Sequence, residues 1–242
     1  MPTQIKACLF DMDGTIINTE DLYTYCNTEL LSRYGKGPLT WDVKMKVQGR
    51  PARDAHQIMI DTYQVPLTLE QYAAISTDIQ ESLWNKAKFL PGALELIQHL
   101  HQINFPIALG TSSYKGSYDR KTKHLSHGFD LFGKHIVTGD DPRIPKGRGK
   151  PCPDIWLACL DSLNKDRREQ GLEEIKIEEC LVFEDGVIGV ESGIAANAPV
   201  VWIPHPEMVP FLEGKEQEIV GVNGEVLKSL ADFDKEKWLG IK

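Results

Sequence analysis

Lys6-Ala7-Cys8-Leu9-Phe10-Asp11-Met12-Asp13-Gly14-Thr15 runs a short apolar segment straight into two carboxylates one residue apart, then a glycine and a hydroxyl. A continuous apolar run of this length reads as a buried strand of a parallel sheet. In open α/β sheets, ligands gather just past the carboxyl ends of such strands. Alternation along an extended chain turns Asp11 and Asp13 to the same side, and Gly14 allows a tight turn beneath them. Two carboxylates so close repel each other, and a hard divalent cation such as Mg²⁺, which favours carboxylate oxygens and water, answers that repulsion. A turn bearing two solvated acids is the competing reading. A calcium-binding EF-hand loop does not fit, because it needs glycine at position six and glutamate at position twelve. Here the glycine is fourth and position twelve is Leu22.

Working outward, the 242 residues carry 41% hydrophobic and 26% charged side chains, ordinary for a globular chain. The length allows one large or two modest domains. No stretch reaches the ~18 apolar residues of a membrane span, and no basic, then hydrophobic, signal segment opens the chain. A cytoplasmic location without a membrane partner is expected. The net charge of −8 repels polyanions, which argues against a nucleic-acid partner. Five scattered cysteines without a Cys-x-x-Cys pair indicate neither a disulfide framework nor a zinc site.

Beyond Thr15, apolar residues at Leu22, Tyr23, Cys26, Leu30 and Leu31 follow helical spacing, and Gly35 and Gly37-Pro38 end that run. A short helix capped by Thr40 and running to Val47, one from Ala52 to Tyr63 and one from Thr68 to about Lys86 are predicted next. Nothing from Asn18 to Lys86 reads as a strand. At Phe89-Leu90-Pro91-Gly92 the composition shifts, and helices and strands then alternate: Ala93 to Gln102 as helix, Phe105 to Gly110 and His135 to Thr138 as strands. A helix from Pro153 and a solvated Lys165 to Glu174 stretch follow. Cys180 to Phe183 (strand), Val187 to Asn197 (helix) and Val200 to Ile203 (strand) complete the pattern. Alternation of this kind predicts a parallel sheet with right-handed crossovers. The tail beyond Pro204 is expected to pack on the edge of the core. The fold class is therefore α/β, a Rossmann-like parallel sheet core with an inserted helical unit.

The predicted strand ends deliver Asp11 and Asp13, then Thr111-Ser112, then Glu184-Asp185. A loop rich in proline and glycine brings Lys150, one of four cations there, in an otherwise acidic chain. Each group has a plain alternative: Thr111-Ser112 or Glu184-Asp185 as helix caps, Lys150 as a solvated lysine.

In this order, DMDGT, GTSS, the lysine of GKPCPD and FEDG resemble the four motifs of the haloacid dehalogenase superfamily, over the span Lys6 to Ile203. Within it the chain most resembles the β-phosphoglucomutase-like branch and its pseudouridine-5'-phosphate phosphatase group. The resemblance implies a core domain of residues 1–17 and 88–242 and a small α-helical cap domain of residues 18–87. It implies a Mg²⁺-dependent phosphatase that hydrolyses a small phosphorylated metabolite, a sugar or nucleoside monophosphate such as pseudouridine 5'-phosphate, through an aspartyl-phosphate. Asp11 would be the nucleophile and Asp13 the acid and base, neutral when substrate binds. Thr111, Ser112 and Lys150 would bind the transferring phosphate, with Gly49 and Arg53 of the cap choosing the leaving group. Asp11, Asp13, Asp185 and Glu184 would hold the metal. Mutases of this branch carry a histidine where Tyr23 stands, which favours the phosphatase over a sugar phosphomutase. A non-catalytic binding protein on the same fold is the third possibility. A monomer is the expected oligomeric state.

Overall fold

A computed structural model describes residues 4–241; residues 1–3 and 242, at the outer limits of the expected core domain, lie outside the described residues. Six parallel strands form one sheet: β1 (Ala7–Phe10), β2 (Ile107–Gly110), β3 (Ile136–Val137), β4 (Cys180–Glu184), β5 (Val200–Trp202) and β6 (Glu225–Val226). Their order is β3-β2-β1-β4-β5-β6, which places β1 between β2 and β4. The α/β class and parallel sheet expected from the sequence are thus present, with β6 as an additional strand contributed by the tail.

Strand β1 is buried on both faces, as its unbroken apolar run requires. Cys8 and Phe10 face one core layer with Phe183, Ile97, Leu100 and Phe132, and Phe10 stacks on Phe183 at 4.6 Å between ring centroids. Ala7 and Leu9 face the other with Val182, Trp156, Cys159 and Trp202. Phe10 pairs in register with Leu109 of β2 and Phe183 of β4, so Asp11, Thr111 and Glu184 emerge at one edge of the sheet.

The chain leaves and re-enters this core at neighbouring points. Asn18 N–H donates to the Lys88 carbonyl at 2.9 Å and Leu90 N–H to the Ile16 carbonyl at 2.9 Å. Between them lie α1 (Glu20–Ser32), α2 (Trp41–Val47), α3 (Ala52–Tyr63) and α4 (Leu69–Glu81). These four helices have a hydrophobic cluster of their own, including Cys26, Leu30, Met59, Tyr72 and Ile79. Helix α4 begins at a capping box in which Gln71 N–H donates to the Thr68 hydroxyl and Thr68 N–H to the Gln71 side chain. It stops at Glu81, short of the predicted Lys86, and the chain tightens into a 3₁₀ turn at Trp84–Lys86. Thr40 precedes α2 but does not cap it with its side chain; its hydroxyl meets the Tyr63 phenol at 3.3 Å.

The remaining helices are α5 (Ala93–Gln102), α6 (Lys115–Thr122), α7 (Ser126–Phe129), α8 (Asp154–Glu169), α9 (Val187–Ala195), α10 (Glu216–Val220) and α11 (Lys235–Leu239). Helix α8 runs on to Glu169, so half of the solvated Lys165 to Glu174 stretch is its charged last turns. Among the described residues, no helix is long and apolar enough to cross a membrane.

Candidate active site

Asp11 continues β1, Glu184 ends β4, and Lys150 reaches between them from the loop before α8. The Lys150 ammonium donates to the Asp11 carboxylate, to Glu184 Oε1 at 2.6 Å and to the Gly110 carbonyl at 3.3 Å. It also lies 4.7 Å above the Trp156 ring. The other Glu184 oxygen accepts the backbone N–H groups of Asp185 and Gly186 at 3.1 and 3.4 Å. Asp185 accepts from the Gln48 amide of the helical insert at 2.5 Å, and Trp202 Nε1 donates to its carbonyl at 2.8 Å.

Asp11, Glu184 and Asp185 each bring a carboxylate oxygen within 4.8 Å of the others, and all three are buried. Burial pushes the Asp11 carboxyl well above its ordinary value; Lys150 opposes this, while Glu184 and Asp13 add to it. Burial likewise raises Asp185, reinforced by the charges of Glu20, Glu184 and Asp11. Three enclosed carboxylates facing one ammonium leave excess negative charge. An all-oxygen donor set of that kind fits a hard divalent cation. Gly14 makes room for the Asp185 carboxylate: its φ is +84°, and a Cβ there would sit 2.0 Å from Asp185 Oδ2.

Asp13 is held differently. Its Oδ1 accepts from the Thr19 hydroxyl at 2.6 Å and the Lys121 ammonium at 2.7 Å, and its Oδ2 from the Ser113 hydroxyl at 2.8 Å. Burial alone would raise its pKa, but the Lys121 charge and these hydrogen bonds outweigh burial and hold it below the usual range. In the free protein these contacts favour the carboxylate form of Asp13; the neutral acid expected from the sequence belongs to the substrate-bound state. Lys121 escaped the sequence reading altogether. It lies on α6, whose sequence Lys-Gly-Ser-Tyr-Asp-Arg-Lys-Thr has no apolar stripe to mark a buried position.

A cavity opens from these acids into the helical insert. Asp11, Asp13, Thr111, Ser112, Ser113 and Gly49 line it, along with Tyr23, Asn27, His56 and Gln80. Thr111 turns its hydroxyl to accept the Ser113 N–H at 3.1 Å, while the Ser112 hydroxyl is buried without a partner. Lys150, behind Asp11, does not line the cavity, nor do Glu184 and Asp185. Arg53 does not reach it either. Helix α3 starts at Ala52 and leaves Arg53 exposed, so the cationic residue on the lining next to Gly49 is Arg50.

The haloacid dehalogenase-like hydrolase family model matches residues 5–197. The chain belongs to this family. It is 51% identical to a probable pseudouridine-5'-phosphatase of Saccharomyces cerevisiae, over 98% of each chain. It is 33% identical to (DL)-glycerol-3-phosphatase 2 of Arabidopsis thaliana, over 97% of this chain and 91% of the relative. The crystal structure of a putative β-phosphoglucomutase from Thermotoga maritima has the same fold, with a TM-score of 0.65 and 24% identity over 94% of this chain and 96% of that one. The resemblance read from the four motifs thus extends along nearly the whole chain, and the protein is an enzyme of the hydrolase class.

Proposed function

We propose that this protein is a phosphoric monoester hydrolase that releases phosphate from a small phosphorylated metabolite by way of an aspartyl-phosphate on Asp11, with Mg²⁺ as its metal. The observation that carries the reading is the placement of Asp11. Its carboxylate emerges from the central strand, is gripped by an enclosed lysine, adjoins two further carboxylates and lines a cavity. Asp11, Asp185 and the Asp13 backbone carbonyl would hold the metal. Glu184, its oxygens engaged by Lys150 and by backbone N–H groups, borders that site and orients Lys150. When bound, the cation supplies the positive charge that lets an anionic nucleophile meet an anionic phosphate.

Asp11 attacks phosphorus, splitting one difficult displacement into two easier ones. Lys150 keeps the Asp11 side chain in line from behind. Thr111 and the unpartnered Ser112 hydroxyl serve the phosphate oxygens from the cavity side. Asp13 takes the proton of the hydrolytic water as a carboxylate, the state in which Lys121 and the two hydroxyls hold it. Its earlier service as acid to the leaving oxygen requires that it gain a proton with substrate bound.

In this reading residues 18–87 act as a cap over a core of residues 1–17 and 88–242, a division supported by the separate hydrophobic cluster of α1 to α4. The leaving group lies among Gly49, Arg50, Asn27, His56 and Gln80. Asn27, His56 and Gln80 offer neutral polar groups suited to a sugar or nucleoside. The 51%-identical yeast relative makes pseudouridine 5'-phosphate the first substrate to try, and the Arabidopsis relative makes glycerol 3-phosphate the second.

The test is phosphate release from a set of nucleoside, sugar and polyol monophosphates, before and after chelation and Mg²⁺ restoration. The wild type should turn over at least one ester in a Mg²⁺-dependent manner, and Asp11→Asn should turn over none. Undiminished release by Asp11→Asn would remove Asp11 as nucleophile. An isomerised phosphosugar in place of free phosphate would make the protein a mutase.

A further inference from the structure

Lys121 is wholly enclosed, and all of its donors are used. It donates to Asp13 Oδ1 at 2.7 Å, to the Tyr23 phenol oxygen at 2.7 Å and to the Ser113 hydroxyl oxygen at 2.8 Å. An ammonium has three N–H donors, so none is left over. Its faces are closed by the rings of Tyr23 and Trp84, each 4.9 Å from the nitrogen. Burying such a charge is costly, and here the cost is offset by Asp13 Oδ1 and the two hydroxyl oxygens; an apolar side chain in its place would leave the buried Asp13 carboxylate without its cation. What a lysine does at this position is therefore bound up with Asp13.

The partners come from three parts of the chain. Lys121 rides on α6 of the sheet core, and Ser113 stands just past β2. Tyr23 on α1 and Trp84 after α4 belong to the helical insert. The Ser113 hydroxyl closes the ring, accepting from Lys121 while donating to Asp13 Oδ2 at 2.8 Å. The aim of the Asp13 carboxylate is in this way tied, through one ammonium, to the seating of the insert.

We propose that Lys121 is a positioning residue for the reaction, fixing Asp13 at the leaving oxygen and, through Tyr23, making that aim depend on the docked insert. The inference rests on the acid/base role given to Asp13 above. If Lys121 positions Asp13, its loss must be felt most where the leaving group needs a proton. An alkoxide needs one, and p-nitrophenolate does not.

The experiment compares kcat/KM, which reports steps through departure of the leaving group, for p-nitrophenyl phosphate and for the best alkyl ester of the phosphate-release set. The proteins are wild type, Lys121→Met, Tyr23→Phe and, as reference, Asp13→Asn. For the alkyl ester, Asp13→Asn should lose on the order of 10²-fold or more relative to its loss on p-nitrophenyl phosphate. Lys121→Met should show the same selectivity at roughly 10-fold or more, and Tyr23→Phe, which keeps the ring against Trp84, a smaller selective loss of about 3-fold. Equal losses on both esters in Lys121→Met and Tyr23→Phe, with Asp13→Asn still selective, overturn the positioning role and leave the acid/base reading intact. Absence of selectivity in Asp13→Asn overturns the acid/base reading itself. Should Lys121→Met fail to fold, Tyr23→Phe decides alone by the same criterion.

Discussion

Two enclosed lysines, Lys150 and Lys121, attend two aspartates one residue apart, and they are anchored in different ways. Lys150 takes all its partners from the sheet's carboxyl edge: Asp11 past β1, Gly110 at the end of β2 and Glu184 at the end of β4. Lys121 takes two from the core side, Asp13 and Ser113, and one from the helical insert, Tyr23. In both, burial works against the ammonium but neighbouring groups more than restore it, and its pKa is raised. Strand ends and the core loop that carries Lys150 fix the nucleophile's surroundings. Those of the second acid exist only where the insert meets the core. Substitutions at the first should therefore harm every substrate alike, whereas those at the second should discriminate between leaving groups.

The largest expected effect comes from Lys150→Met. It leaves Asp11 and Glu184 buried against each other without their cation. Removing one partner of a buried pair costs roughly 3 kcal/mol or more of stability, and removing a preorganised charge from such a site costs about 10²- to 10³-fold in turnover. Both alkyl and p-nitrophenyl esters should lose in proportion, and urea unfolding should shift to a lower midpoint. A leaving-group selectivity in this variant would erase the distinction between the two lysines.

Gly14→Ala is expected to act at the seam between the two regions. A methyl there would meet Asp185 Oδ2 at 2.0 Å and Glu20 Cγ at 2.9 Å, at a φ of +84° that residues with a side chain rarely adopt. Asp185 belongs to the sheet edge and Glu20 opens α1 of the insert. Displacing Asp185 should raise the Mg²⁺ concentration for half-maximal activity by roughly 10-fold or more. Titration of activity with Mg²⁺ measures this, and an unchanged midpoint would mean that Asp185 is not among the ligands.

The two regions also differ in how far they could be read from the sequence. Strand β1 and its acids are legible because a buried parallel strand is a bare apolar run and its chemistry follows at the next residue. Lys150 is found through motif order, since nothing local marks it. Lys121 is separated from Asp13 by 108 residues and sits in a polar octapeptide, so periodicity gives no hint that its side chain turns inward. Arg53 is expected at the cavity because by register it matches, better than Arg50 does, the arginine that the family resemblance implies there. The first turn of α3 rotates it to the surface instead, which puts Arg50 on the lining. Strand β6 has two residues, too few for any alternation to register.

The smallest expected effect isolates the insert from the sheet edge. His56 on α3 lines the cavity and stacks obliquely on Tyr72 at 5.1 Å. Burial pushes its imidazole down to about 4, so the folded protein keeps it neutral at pH 5 and 6. The unfolded chain takes up that proton near pH 6.5. Between 6.5 and about 4 the unfolded state therefore binds more protons, and stability falls as the pH is lowered through that window and is fully present above it. At ~1.4 kcal/mol per pKa unit the loss is on the order of 3 kcal/mol. His56→Gln should flatten the dependence of the urea midpoint on pH across this window. A pH dependence that survives the substitution would place the sensitive group elsewhere, His205 and His135, whose imidazoles burial also pushes down, being the next to examine.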